Sequence, residues 1–310
     1  MKTKTIKAVI RKKLDNWFKT ITNSEVRELA EKNTIVTGGC IASMLLQEEV
    51  NDFDVYFRNE ETAVAIAQYY VTQFTKNPPP RFKEYADGVE ICVIHNKETG
   101  RVNIKVQSAG EAGENSVADD KYETLALESR EQENYLDAAM ENVEDDADKA
   151  VATDKDGNPF RPVYLSSNAI TLSDKIQIVI RFIGEPDSIH ENYDFVHCTN
   201  YYTSWESALV LRADALEALL TRELRYVGSR YPLCSIIRTR KFINRGWSIN
   251  AGQFVKMAMQ LNELNLLDLA VLEDQLTGVD VAYFQQIIKM LQDKEDITTA
   301  YVIEVIDRMF

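Results

Sequence analysis

Thr34-Ile35-Val36-Thr37-Gly38-Gly39-Cys40-Ile41-Ala42-Ser43, followed by Asn51-Asp52-Phe53-Asp54-Val55-Tyr56-Phe57, decides the fold of this 310-residue chain. The first run reads as an apolar strand that stops at paired glycines and reopens as a helix. In the second, side chains alternate between faces, so Phe53, Val55 and Phe57 enter a core while Asp52 and Asp54 share the opposite side. Two positions apart on a strand, those carboxylates lie ~7 Å from one another. Oxygen donors so spaced suit the hard cation Mg²⁺. Gly38-Gly39 lets the backbone approach a ligand and opens a helix whose free N–H groups can receive a phosphate. The pattern is that of a metal-dependent site handling a triphosphate; its plain alternative is a tight turn and an exposed acidic strand end.

The arrangement resembles the DNA polymerase β-like nucleotidyltransferase superfamily, whose signature is an apolar residue, Gly-Gly or Gly-Ser, a helix, and then Asp-x-Asp or Asp-x-Glu. The motif covers residues 34–57, and a looser likeness runs through the strands to about residue 200 and a helical region beyond. The resemblance, to the template-independent type, implies an α+β fold: a mixed β-sheet with flanking helices plus a C-terminal helical domain. It also implies two Mg²⁺ ions held by Asp52 and Asp54, an NTP substrate on Gly38 and Gly39, and a third carboxylate on a neighbouring strand. Asp194, an acid between apolar neighbours in Asn192–Val196, is the candidate for that third position, with Asp87 and Glu90 as competitors. In template-independent members the second domain contacts the base and triphosphate, a role that falls here on Arg238–Trp247, with Arg238 and Lys241 foremost.

Outside the motif, the chain reads as two domains. Ile6, Ile10, Leu14, Trp17 and Ile21 recur at helical spacing, and Thr22-x-x-Glu25 has the form of a capping box for a second helix ending near Lys32. A helix follows from about Glu60 to Phe74, closed by Asn77-Pro78-Pro79-Pro80. Val89–His95 and Arg101–Gln107 read as a hairpin; Pro162–Leu165, Lys175–Phe182 and Tyr193–Cys198 read as further strands. From Ser207 the pattern turns helical, with one long helix through Leu224 and further helices at Ile236–Asn244, Ala251–Leu261, Val281–Leu291 and Thr298–Met309. The expected division is a catalytic domain over 1–203 and a helical domain over 204–310.

Charge is unevenly distributed. Of the net −14, residues 108–157 carry −12, from sixteen acids against four bases. This block, expected as an acidic insertion over about 108–160, is a surface excursion, or else a docking surface for a protein partner. The remainder is nearly neutral, so the low overall pI does not argue against nucleic acid as a partner. Arg212, Arg222, Arg225, Arg230, Arg238, Arg240, Lys241 and Arg245 cluster in the helical part with Tyr226, Tyr231, Phe242 and Trp247 among them, a composition suited to phosphate neutralisation and base stacking. Arginines on a solvated helix face are the alternative. The four cysteines show no metal or redox spacing, and three histidines exclude a His-rich metal site. No apolar run spans a bilayer, and a cytoplasmic location without a secretory signal is expected.

Four further residues carry paired readings. Ser43, one turn into the helix, reaches a phosphate oxygen or is simply small enough for close packing. Gln177 and Lys175 face the cleft or the solvent, and His197 positions an acceptor or is a satisfied structural histidine. The expected activity is Mg²⁺-dependent transfer of an NMP from an NTP to a hydroxyl, with an RNA 3′ end as the leading acceptor. A protein hydroxyl or a small molecule is the alternative acceptor, and a non-catalytic scaffold or a nucleotide-sensing regulator the alternative role.

Overall fold

Helix α1 (Thr3–Thr20) forms because every third or fourth residue is apolar: Ile6, Ile10, Leu14, Trp17 and Phe18 are buried along one face. The computed structural model describes residues 1–79, 89–108, 159–276, 291 and 297–309. Helix α2 (Ser24–Asn33) is capped by Asn23, whose side chain accepts from the backbone N–H groups of Glu25 and Val26 at 3.0 and 3.2 Å. The expected capping box at Thr22 is therefore displaced by one residue, because Asn23 satisfies two helix-end donors by itself.

Strand β1 (Thr34–Thr37) runs into helix α3 (Gly39–Leu46), and strand β2 (Phe53–Phe57) returns beside it, followed by helix α4 (Glu60–Lys76). Asn59 caps α4 by accepting from Thr62 N–H at 3.0 Å. Strands β3 (Val89–Asn96) and β4 (Arg101–Ser108) form a separate two-stranded antiparallel sheet. Strands β5 (Pro162–Leu165), β6 (Ala169–Leu172), β7 (Ile176–Ile183), β8 (Tyr201–Thr203) and β9 (Ala208–Val210) complete a seven-stranded sheet in the order β5-β6-β7-β2-β1-β8-β9. The β2–β7 pair is parallel and the others antiparallel, so the sheet is mixed, with helices packed on it and a helical C-terminal region. Phe53, Val55, Phe57, Ile176, Ile178 and Ile180 enter one core with the buried faces of α1 and α4.

Several sequence expectations are corrected. Tyr193–Cys198 is not a strand; Val196–Cys198 is one turn of 3₁₀ helix. Its strand-like alternation is used only in an isolated antiparallel bridge between Phe195 and Tyr226, with Val196 N–H donating to Arg225 C=O and Val227 N–H to Asp194 C=O. The supposed long helix from Ser207 begins at Ala213 and ends at Thr221, since Tyr201–Thr203 and Ala208–Val210 pair as a hairpin on the sheet edge. Strand β6 and the helix Leu269–Leu276 were not anticipated. The expected acidic insertion, Asp87 and the helix proposed over 281–291 (apart from Leu291) lie outside the described residues.

The chain divides into two compact units. One comprises the described residues up to His190 together with Cys198–Leu216, and the other Glu191–His197 with the described residues from Glu217 onward. In the second unit, helices Pro232–Asn244, Ala251–Leu261, Leu269–Leu276 and Thr299–Met309 follow the segment around Tyr226. Leu272, Leu291 and Val305 form a small core there, joined by Leu233 and Ile237.

Within the first unit, Trp17 Nε1–H donates to the Tyr70 hydroxyl at 2.7 Å with both side chains buried. Tyr70→Phe keeps the ring but leaves the indole donor without its acceptor, so it should cost about 1–3 kcal/mol. A lowered urea midpoint with an unchanged slope is expected; an unchanged midpoint would show that Trp17 finds another acceptor.

Candidate functional site

The centre of the sheet brings the motif together. In the antiparallel register of β1 and β2, Thr37 stands opposite Asp54. In the parallel register of β2 and β7, Asp54 stands beside Gln177, which in turn faces Thr171 of β6. Partners in register point to the same side of a sheet, so Thr37, Asp54, Gln177 and Thr171 form a polar row across one face. Asp54 is half-buried, and Asp52, just before the strand, is exposed.

The glycines play different parts. Gly38 has φ 92° and ψ −152°, a conformation open essentially to glycine alone, and its N–H donates to Cys198 C=O at 3.1 Å. Gly39, the first residue of α3, would carry a Cβ into open space with nothing within 4 Å. The opening turn of α3 therefore borders free volume. Cys40 sits in that turn, and burial first, then the negative charge of Asp54 and to a lesser degree Asp52, push its thiol pKa well up. Both carboxylates are thus close enough to the start of α3 to be felt there. Ser43 is half-buried one turn further on, and its C=O accepts from Glu48 N–H at 2.8 Å.

A buried network fixes this junction. The Thr37 hydroxyl, wholly buried, lies 2.8 Å from His190 Nε2 and 2.9 Å from Asn200 C=O. Its single proton goes to that carbonyl, so the neutral imidazole donates Nε2–H to Thr37. Burial, reinforced by the Arg212 charge and opposed by Asp187, lowers the His190 pKa to about 4. Lys175 Nζ reaches Glu49 at 3.1 Å and Val50 C=O at 3.2 Å, tying down the segment that leads into Asp52. Phe53 N–H donates to Lys175 C=O at 2.8 Å. Lys175 is thus a clamp on the approach to Asp52 rather than a solvated surface lysine.

Sequence reasoning missed Thr37 and His190 and set Gln177 aside. Alternation along Ile176–Ile183 does show Gln177 opposite the core face, but nothing local shows that β7 pairs beside Asp54.

Asp194 and Arg238 both belong to the second unit, where the carboxylate pairs with the guanidinium at 2.6 Å. Lys241, Arg240 and Arg245 are exposed, whereas Arg225 pairs with Glu217 at 2.8 Å. The interleaved aromatics are not a stacking surface: Tyr226, Tyr231 and Trp247 are buried, because this unit needs them as core. His197 is enclosed by Phe195, Phe242 and Trp247 with ring centroids at 6.1, 4.8 and 4.3 Å. Neither of its ring nitrogens has a hydrogen-bond partner among the described residues. Burial lowers its pKa to about 4 against the opposing charge of Asp194. Glu90 is exposed on β3. Among the described residues, no three His, Cys, Asp or Glu side chains converge as a metal cage, and no helix is long and apolar enough to cross a membrane.

The donor set of Asp52 and Asp54 nonetheless fits Mg²⁺, which is commonly held by one or two carboxylates with the remaining positions filled by water and substrate phosphates. Open volume lies beside Gly39 at the first turn of α3.

Residues 8–222 match a family model described as Gad2, Gabija anti-defense 2 family protein. A curated relative, Gabija anti-defense 2 of Bacillus phage SPbetaL7, is 23% identical over 124 residues, 39% of this chain and 30% of that protein. The aligned region thus spans less than a third of the relative's length. Among solved structures, the Thermotoga maritima CCA-adding enzyme complexed with tRNA_CCA is similar with a TM-score of 0.38 at 11% identity, over 96% of this chain and 53% of that one. The Bacillus stearothermophilus CCA-adding enzyme in complex with CTP gives 0.39 at 10% identity, over 89% and 51%. This chain spans about half the length of each.

Both buried histidines make stability depend on pH. Their folded pKa of about 4 lies below the ordinary 6.5, so the unfolded chain binds more protons between those values. Their contribution is therefore complete above pH 6.5 and lost as pH falls toward 4, by on the order of 2–3 kcal/mol each. His197→Phe preserves the ring packing and removes one such group. Its melting temperature should fall less steeply than that of the wild type from pH 6.5 to 4, and parallel curves would show that His197 is hydrated.

Proposed function

Since the chain belongs to the Gabija anti-defense 2 family, we propose that its own contribution to that family's role is nucleotidyl transfer, the movement of an NMP from an NTP to a hydroxyl acceptor. The observation that carries this reading is the register of Asp54 opposite Thr37, which sets a carboxylate beside the Gly38-Gly39 helix start. Asp52 and Asp54 would hold divalent metal. When bound, Mg²⁺ supplies charge neutralisation for the triphosphate and the leaving pyrophosphate.

The rest is the work of the chain. The first N–H groups of α3 and its positive dipole end receive phosphate oxygens in the volume that a side chain at residue 39 would occupy. Gly38, held by Cys198 C=O, and Thr37, held by His190, keep this turn from relaxing when charge arrives. Gln177 offers an amide beside Asp54, suited to a sugar or acceptor hydroxyl. Ser43 is a second contact for the phosphates.

The acceptor is a hydroxyl, with an RNA 3′ end favoured and a protein hydroxyl as the alternative. The exposed Lys241, Arg240 and Arg245 are suited to an anionic acceptor. The name of the phage relative adds a biological setting, in which transfer would serve anti-defense against Gabija.

Asp52→Asn and Asp54→Asn keep side-chain size and remove the charge that metal requires. Each should lower label transfer from an NTP with Mg²⁺ or Mn²⁺ by at least ~10²-fold with little change in melting temperature. Transfer assays with total RNA, with protein and with neither identify the acceptor. Wild-type transfer rates in both variants would remove the assignment of these carboxylates. Protection of phage on Gabija-carrying cells by both variants, equal to wild type, would separate anti-defense from catalysis.

A further inference from the structure

We propose that the outer face of α1 is a docking surface for the phosphate backbone of double-stranded nucleic acid. Residues 2–19 carry seven bases, Lys2, Lys4, Lys7, Arg11, Lys12, Lys13 and Lys19, against the single acid Asp15, in a chain whose net charge is −14. The apolar face of α1 is spent on the core, and these bases flank it or lie away from it: all but Lys13 are exposed. Lys13 is drawn inward to Asp174 at 2.9 Å and lies over the rings of Phe53 and Phe160.

The remaining bases are poorly answered within the unit. Arg11 makes one open contact to Asp15 at 3.7 Å, and Asp15 and Glu31 border the cleft that Arg11 and Lys19 line. On the neighbouring helices, α3 has no acid but is followed by Glu48 and Glu49, the latter taken by Lys175, and α2 carries Glu25, Glu28 and Glu31, of which Glu28 is taken by Lys32. Lys2, Lys4, Lys7 and Lys12 have no carboxylate partner among the described residues.

A second observation points the same way. The start of α1 has no side-chain cap and no acid in its first turn; Lys2 stands at the cap and Lys4 just inside. Cations at that end oppose the helix dipole and sit among unsatisfied N–H donors, an arrangement that destabilises a helix and suits an anion.

Spacing selects the occupant. Lys4, Lys7 and Arg11 fall at i, i+3 and i+7 along a single stripe, with Lys12 and Lys19 about a quarter turn round from it, and Lys4 to Lys19 spans ~22 Å. A duplex presents a phosphate charge every ~1.7 Å of its axis, so several phosphates meet this length. The exposed face holds no aromatic ring on which an unpaired base would stack. Its apolar side is buried, and Val9 is the one large apolar side chain of α1 left exposed, too little to insert into a lipid surface.

The test is binding by the full chain, without NTP, to a 20-base-pair RNA duplex and its DNA counterpart across a series of salt concentrations. Binding in this assay does not depend on nucleotidyl transfer. Wild type should bind with a log–log salt slope of about −3 to −5. Lys4→Ala, Lys7→Ala and Lys12→Ala together should weaken affinity at least about tenfold near 0.1 M salt and flatten the slope by about 2 to 3. Alanine favours helix, so this variant should melt at or above the wild-type temperature. Lys76→Ala with Lys97→Ala, on other elements, should bind as wild type does. Comparing the two duplexes and single-stranded oligo-U tells which nucleic acid is preferred. Wild-type affinity and slope in the triple variant would overturn the proposal. So would a wild-type preference for oligo-U, poly-glutamate or phosphatidylserine vesicles over both duplexes.

Discussion

Four residues, Thr34 to Thr37, are wholly buried at the centre of the sheet, and the candidate site depends on how their last member is held. Thr37 faces Asp54 on one side and Tyr201 on the other, and its hydroxyl is committed to His190 and Asn200. A strand so short holds its last residue only weakly through its backbone pairs alone. The side-chain bond to a buried, neutral imidazole supplies the remaining constraint, and burial makes an unmade bond costly.

From that anchor the next residue can take a strained conformation. Gly38 turns to positive φ directly after the strand, and a carbonyl from Cys198 meets its N–H. The chain then enters α3 with its opening turn toward free volume. On the far side of the site, Lys175 holds the segment before Asp52, so the exposed carboxylate leaves a tethered loop and the half-buried one a paired strand. Rigid elements with a small open volume between charges favour ligand binding over collapse of the charges onto one another.

The second unit uses its chemistry inwardly. Asp194 and Arg238 neutralise one another, and the rings that looked suited to stacking enclose His197. The described core of this unit is built from Leu219, Leu224, Met257, Leu272, Leu291 and Val305 together with these aromatics. This leaves fewer of them, and fewer arginines, for a partner than the sequence pattern implies. Among the described residues, exposed cations without a carboxylate partner include Lys2, Lys4, Lys7 and Lys12 on α1 of the first unit and Arg240, Lys241 and Arg245 of the second.

The sequence by itself determined what short-range physics controls. The 3.6-residue spacing of Ile6 through Trp17 specifies α1, and alternation from Phe53 to Phe57 specifies which side of β2 is core. The glycine pair marks the break between β1 and α3, since only glycine tolerates the backbone angles of residue 38. Long-range pairing is a different matter. Tyr193–Cys198 has the composition of a strand, but the sheet edge beside β1 is taken by Tyr201–Thr203, closed into a hairpin by Ala208–Val210. Which of two similar segments wins an edge depends on competing partners far along the chain, and no local window contains that comparison. For the same reason the neighbours of Asp54 were hidden: Gln177 is 123 residues away in sequence and adjacent in register, and His190 reaches Thr37 across 153. Local pattern named the carboxylates and the glycines; the tertiary structure alone decided what stands beside them, because strand order is set by the summed burial of the whole sheet.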